Sequence, residues 1–164
     1  MEKAMMDKEA YGLAGQVRQV LVAVDGTENA QRAVLYVADI LGGMPGFRVT
    51  LLHVVQEPPL EYFSNAQQRR DWLGEKEAEG RKGLERYRRI LLHSGFEEDQ
   101  VGTTLVVKAC ESLARCIYEE VRRLNACTVV VGRRGISKKE EFLFGSTSNT
   151  MVHTARNCAV WVVE

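Results

Sequence analysis

The 164-residue chain lacks several features that would commit it to common functions. No charge of either sign is in excess, since Lys plus Arg and Asp plus Glu number 22 each. That balance removes the electrostatic ground for broad binding to nucleic acid or to a membrane surface. Cysteine is sparse: Cys110, Cys116, Cys127 and Cys158 form no CxxC pair and no Cys/His spacing suited to zinc. Most of them read as small apolar core residues, and a reducing cytoplasm is the compartment this usage implies. No apolar run approaches the roughly 18 to 20 residues of a transmembrane helix. The charged start MEKAMMDKEA has no signal-peptide core. Internal repeats and low-complexity segments are also missing.

What is present is an alternation of strand and helix signals, on a chain whose 45% hydrophobic content suffices for one real core. Residues 1–15 show no period and read as a flexible leader ahead of a domain over residues 16–164. Val17 to Val24 is a β-branched run ending at Asp25-Gly26-Thr27. Ala30, Ala33, Val34, Val37, Ala38 and Leu41 then recur at helical spacing. Phe47 to Val55 reads as a second buried strand, stopped by Pro58-Pro59. A long Arg- and Glu-rich connection follows, with Trp72, Leu73, Leu84, Tyr87 and Leu91 as a thin apolar stripe. Acids interleave the bases there, so it reads as a solvated, ion-paired helix face. Thr103 to Val107 gives a third strand. Leu113, Ile117, Val121 and Leu124 mark one face of the next helix, which closes near Asn125. Strand four is Thr128 to Val131, and Ala159 to Val163 is a fifth. Such alternation specifies a single-domain α/β sandwich of three layers, a parallel sheet between two layers of helices.

Two stretches carry chemistry. In the first, Asp25 stands at the carboxyl end of strand one, where ligands of open α/β sheets bind. As a purely local matter it also suits capping the turn, with Thr27 as N-cap of the helix. In the second, Gly132-x-x-Gly135 follows the apolar run Val129-Val130-Val131, and nine residues later Gly145-Ser146-Thr147 opens a short helix. Glycines permit close backbone approach, and amides at a helix start point outward from the positive end of the dipole, which is how a phosphate is cradled. His53, alone in an apolar strand, reads as a hydrogen-bonded core residue. Glu140 and Glu141 read as a solvated loop tip.

The pattern Gly-x2-Gly-x9-Gly-Ser/Thr resembles the nucleotide-binding signature of the universal stress proteins. VLVAVDGTENAQRAVLYVADIL and LLHVVQEP resemble that family's opening strand, turn and helix and its second strand, so the likeness runs from about Val17 to Glu164. The resemblance implies an adenine nucleotide alpha hydrolase-like fold with five parallel strands in the order 3-2-1-4-5. It implies an ATP site in which Ala23, Val24 and Asp25 lie beside the nucleoside and Val54 offers its backbone to adenine. Val131, Gly132, Arg134, Gly135, Gly145, Ser146 and Thr147 would surround the phosphates, with Arg133 or Arg134 adding charge. Mg2+ or Mn2+ would accompany the phosphates. A homodimer through the last strand, an unknown protein partner and a stress-response role also follow from it.

No catalytic residue and no protein metal ligand is assigned. The chain has no Gly-x4-Gly-Lys-Ser/Thr loop, no Ser-Gly-Gly-x-Asp loop, and no acidic cluster of the receiver type around Asp25. The expected function is therefore ATP binding with little or no hydrolysis. Its alternatives are a slow ATPase, or a protein-interaction module that carries no nucleotide.

Overall fold

The computed structural model describes residues 16–133 and 146–164. Residues 1–15, expected to form a leader, and Arg134, Gly135, Glu140, Glu141 and Gly145 lie outside the described residues. Of Ser146 only the backbone is described. The elements run β1 (Arg18–Ala23), α1 (Glu28–Leu41), β2 (Phe47–Gln56), α2 (Ala66–His93), β3 (Val101–Lys108), α3 (Leu113–Arg123), β4 (Thr128–Gly132), α4 (Ser146–Thr154) and β5 (Ala159–Val163). Short 3-10 turns stand at Leu60–Tyr62 and Glu98–Gln100.

All strand pairs are parallel, in the order β3-β2-β1-β4-β5, as expected. Successive side chains of a strand leave opposite faces, so β1 feeds two cores. Val20 and Val22 join Val34, Val37, Leu84 and Tyr87 under α1 and α2. Leu21 joins Ile117, Val121, Val129, Val131 and Met151 under α3 and α4. A sheet covered on both faces needs apolar residues at every position, which is why the strands read as continuous runs. All six apolar positions expected along α1 are buried. Along α2 the stripe is thin, with Leu84, Tyr87 and Leu91 buried and Trp72 and Leu73 half-buried. Asn125 closes the α3 end with a left-handed φ of 50°.

The cysteine expectation needs correction. Of the four, Cys116 is wholly buried, Cys110 and Cys158 are half-buried and Cys127 is exposed. Cys110 and Cys116 are joined in a disulfide, with Cα atoms 6.1 Å apart. The cause is local. The β3–α3 connection turns tightly into the Ser112 N-cap, so a residue just past the strand meets one on the first turn of the helix. Spacing along the chain does not reveal that meeting.

Candidate functional site

Every strand points the same way, so every following helix begins at one edge of the sheet. At that edge β1 leads into α1 on one face, and its neighbour β4 leads on toward α4 on the other. Chain direction reverses between them, and a crevice opens at the reversal. It holds about 540 Å³ of space continuous with solvent. Ala23, Val24, Asp25, Val54, Val131, Gly132 and Thr147 all line it. The structure thus brings together the ends of β1, β2 and β4 and the start of α4, from stretches more than a hundred positions apart in sequence.

The turn after β1 is built by hydrogen bonds. Asp25 Oδ1 accepts from the Thr27 backbone N–H at 3.1 Å and from the Thr27 hydroxyl at 2.6 Å. Thr27 Oγ1 in turn accepts from the Ala30 N–H at 3.2 Å, which makes it the N-cap of α1. Asp25 therefore both shapes the turn and lines the crevice; the two readings of this residue are not exclusive. Its carboxylate is exposed, with one oxygen held by Thr27.

At the end of β4, Gly132 is required by close approach. A Cβ there would lie 2.5 Å from the Asn29 carbonyl carbon and 2.9 Å from the Ala30 nitrogen. The first turn of α1 is thereby seated directly against the strand, and Asn29 and Ala30 become crevice wall. Beside it the Arg133 N–H donates to the Val163 carbonyl at 2.7 Å and the guanidinium pairs with Glu164 at 2.8 Å. Arg133, one of the two arginines expected to add charge at the phosphates, thus pairs with the end of β5.

His53 keeps the structural part assigned to it. Its Nδ1–H donates to the Val24 carbonyl at 3.1 Å, and the half-buried ring packs under Gly80 of α2. A Cβ at position 80 would come within 2.7 Å of both His53 Cδ2 and Leu105 Cδ1. The Val24 backbone is thus pinned from both sides, since its N–H donates to the Leu52 carbonyl at 2.8 Å.

The opposite wall belongs to α3, through Leu113 and Ile117. Sequence reasoning missed these two, along with Thr27, Asn29, Ala30 and Leu52, as crevice residues. A signal was available: Leu113 and Ile117 already stood on the inward face of their helix, and the topology brings the start of that helix to the same edge. The Cys110–Cys116 bond and an ion pair between Lys108 and Glu119 tie this wall to β3. The hydrogen bond from Lys108, and then its charge, hold the Glu119 carboxyl below the usual carboxylate range.

A parallel sheet with its crevice at the topological reversal defines a doubly wound α/β domain. The family model of the universal stress proteins matches residues 16–164, and the chain belongs to that family. No curated protein sequence matches it. Among solved structures it is similar to hypothetical protein MJ0577, at 22% identity and a TM-score of 0.73 over 90% of this chain and 96% of that one. It is also similar to an Arabidopsis thaliana universal stress protein family protein with AMP bound, at 24% identity and TM-score 0.60 over 89% and 90%. A third is the Archaeoglobus fulgidus universal stress protein in complex with dAMP, at 18% identity and TM-score 0.63 over 90% and 98%. The fold is the adenine nucleotide alpha hydrolase-like one.

Proposed function

We propose that the chain is an ATP-binding universal stress protein, a nucleotide-dependent stress-response or signalling module with little or no hydrolysis. The observation that carries this reading is the convergence of Asp25, Val54, Gly132 and Thr147 on one crevice. Three features of its wall support it. Ala23, Val24, Leu52, Val54 and Ile117 give an apolar slot suited to a purine ring. Asp25 presents an exposed carboxylate that can accept hydrogen bonds from ribose hydroxyls. Thr27 at the N-cap of α1 and Thr147 in the first turn of α4 also line the crevice, and the start of a helix favours an anion. The Arabidopsis and Archaeoglobus relatives carry AMP and dAMP, in line with an adenine nucleotide here. Arg134, Gly135, Gly145 and Ser146 complete the proposed phosphate end.

Asp25 is the sole carboxylate among the described residues lining the crevice, and Thr27 already engages one of its oxygens. A cage of protein carboxylates for a metal is not what these side chains offer. A Mg2+ or Mn2+ ion would be held through the nucleotide phosphates and supply charge neutralisation there. In this reading Asp25 serves the ribose, with one carboxylate oxygen already held by Thr27, and is not assigned the part of a base toward a γ-phosphate. Fast phosphoryl transfer needs a positioned base and cationic stabilisation of the transferring oxygens.

The reading carries a homodimer through β5 and, from the family and not from cysteine usage, since Cys110 and Cys116 are joined, a cytoplasmic location. No helix among the described residues is long and apolar enough to cross a membrane. Trp161 packs edge-on to Tyr36 of α1, 5.9 Å between ring centres, which places that ring on the face of the sheet and not over its edge. An apolar edge strand of this kind invites pairing with a second copy. Light scattering at micromolar concentration tests it, a mass of one chain counting against the dimer. For the nucleotide, the test is to denature purified protein and identify released small molecules. ATP in the supernatant supports the reading; an empty pocket that also ignores added ATP favours a protein-interaction module.

A further inference from the structure

Cys127 and Cys158 stand side by side at the edge of the sheet opposite to the crevice. β4 and β5 pair in register from Thr128↔Ala159 to Gly132↔Val163, and the Ala159 N–H donates to the Cys127 carbonyl at 2.8 Å. Cys127 and Cys158 are the residues that immediately precede the first pair of that ladder, each in a bend ahead of its strand. Cys158 packs against the same core layer as Val129, Val131, Val160 and Val162, and the Cys127 sulfur reaches the Gln19 carbonyl of β1. Cys158 thus sits on the α3/α4 side of the sheet with Cys127 exposed beside it at the start of the neighbouring strand. Neighbouring strands lie about 4.8 Å apart, inside the roughly 4.4 to 6.8 Å of Cα separation that a disulfide spans.

Both sulfurs are free thiols, Cys127 exposed and Cys158 half-buried. Among the described residues the Cys127 sulfur has weak contacts, a donated bond to the Gln19 carbonyl at 3.4 Å and the Thr128 hydroxyl at 3.7 Å. Rotation about its Cα–Cβ bond swings the sulfur from β1 toward β5. An accessible thiol beside a shielded one is the arrangement in which one sulfur meets an oxidant and the other resolves the product.

We propose that Cys127 and Cys158 form a reversible redox site that reduces small hydroperoxides, Cys127 as the attacking and Cys158 as the resolving sulfur. The Cys127 thiolate attacks one peroxide oxygen. A sulfur–oxygen bond forms, the oxygen–oxygen bond breaks, and the departing alkoxide or hydroxide takes up the proton that the thiol gave up. Cys127 is then a sulfenic acid. The Cys158 sulfur attacks the Cys127 sulfur, and the hydroxyl leaves with the Cys158 proton as water. In sum two thiols and one hydroperoxide give one disulfide, one alcohol or water from the peroxide, and one water. A small dithiol reductant reverses the oxidation by exchange. The bond staples the edge strand β5 to β4 at their starts, remote from the crevice and from Cys110–Cys116. It requires no bound nucleotide.

The test uses the full chain treated with equimolar hydrogen peroxide, alkylated and digested with trypsin without reduction. Cleavage releases residues 124–133 and 157–164, each with one of the two cysteines. The expected product is these two peptides joined, formed at the same fractional yield when the protein is diluted tenfold, and absent after dithiol treatment. In Cys158→Ser, Cys127 should stop as a sulfenic acid that dimedone traps. Both peptides alkylated as before would overturn the proposal. So would a link that disappears on dilution, or Cys127 oxidised to the same product with and without Cys158. The wild-type peptide map decides the matter even where the variant folds poorly.

Discussion

The Thr27 hydroxyl donates to Asp25 Oδ1 at 2.6 Å while accepting from the Ala30 N–H at 3.2 Å, so one side chain joins the crevice carboxylate to the first turn of α1. Thr27→Ala removes the N-cap and leaves Asp25 with a single turn contact. We expect a loss of about 1 kcal/mol in stability, seen as a Tm lower by roughly 2–4 °C. Thr27→Ser, which keeps the oxygen, should recover most of it. A melting curve for Thr27→Ala equal to wild type would show that the cap contributes nothing.

Gly132 gives a sharper case. Its Cβ would meet backbone of Asn29 and Ala30, not the yielding end of a side chain. Gly132→Ala should therefore cost about 1–3 kcal/mol by overpacking, readable in urea unfolding as a lower midpoint at unchanged slope. Because α1 must shift away from β4, ligand affinity should fall with it. An unchanged midpoint would mean that the contact relaxes freely.

His53 and Gly80 should behave as a coupled pair. Gly80→Ala drives a methyl into the His53 ring and Leu105. In His53→Ala the same change has room on one side. A double-mutant cycle should show the Gly80→Ala penalty reduced by about 0.5 kcal/mol or more in the His53→Ala background. Additive effects would place the clash on Leu105 alone.

Cys158 should react late with alkylating agents. Burial first, and then the charge of neighbouring Cys127, pushes its thiol above the ordinary value. The thiolate is the reactive form, so its labelling by iodoacetamide should rise with pH over a range higher than that of a free cysteine. Urea-unfolded protein should lose that displacement. Coincident pH profiles in folded and unfolded protein would contradict it.

The layered fold was legible because burial on both faces writes long Val-rich runs, and because Asp25 and Gly132 both fall where such runs end. Helix α1 was legible to the residue, since its inward positions are all small or branched apolar groups at one spacing. The α3 wall of the crevice was harder. Leu113 and Ile117 are inward residues of an ordinary amphipathic helix, and their role comes from where the sheet order places that helix. The Cys110–Cys116 bond and the pairing of Arg133 with Glu164 depend on the path of single turns and strand ends. Hydrophobic periodicity does not encode those paths.

Hydrolysis can be separated from binding. Single-turnover reactions with magnesium and with manganese should run well below the range of about 1 to 1000 per second found for typical enzymes. A rate inside that range, lost in Asp25→Ala, would make the protein an ATPase.

The central claim is that the crevice at the ends of β1 and β4 holds an adenine nucleotide. Calorimetric titration of the full chain with ATP, beside a folded Val54→Trp variant whose indole fills the apolar slot, tests it most directly. Saturable binding of one nucleotide per chain to wild type, at least tenfold weaker in the variant, is the predicted result; tenfold corresponds to about 1.4 kcal/mol. No binding of ATP or AMP by wild type, or equal affinity in the variant, would contradict it.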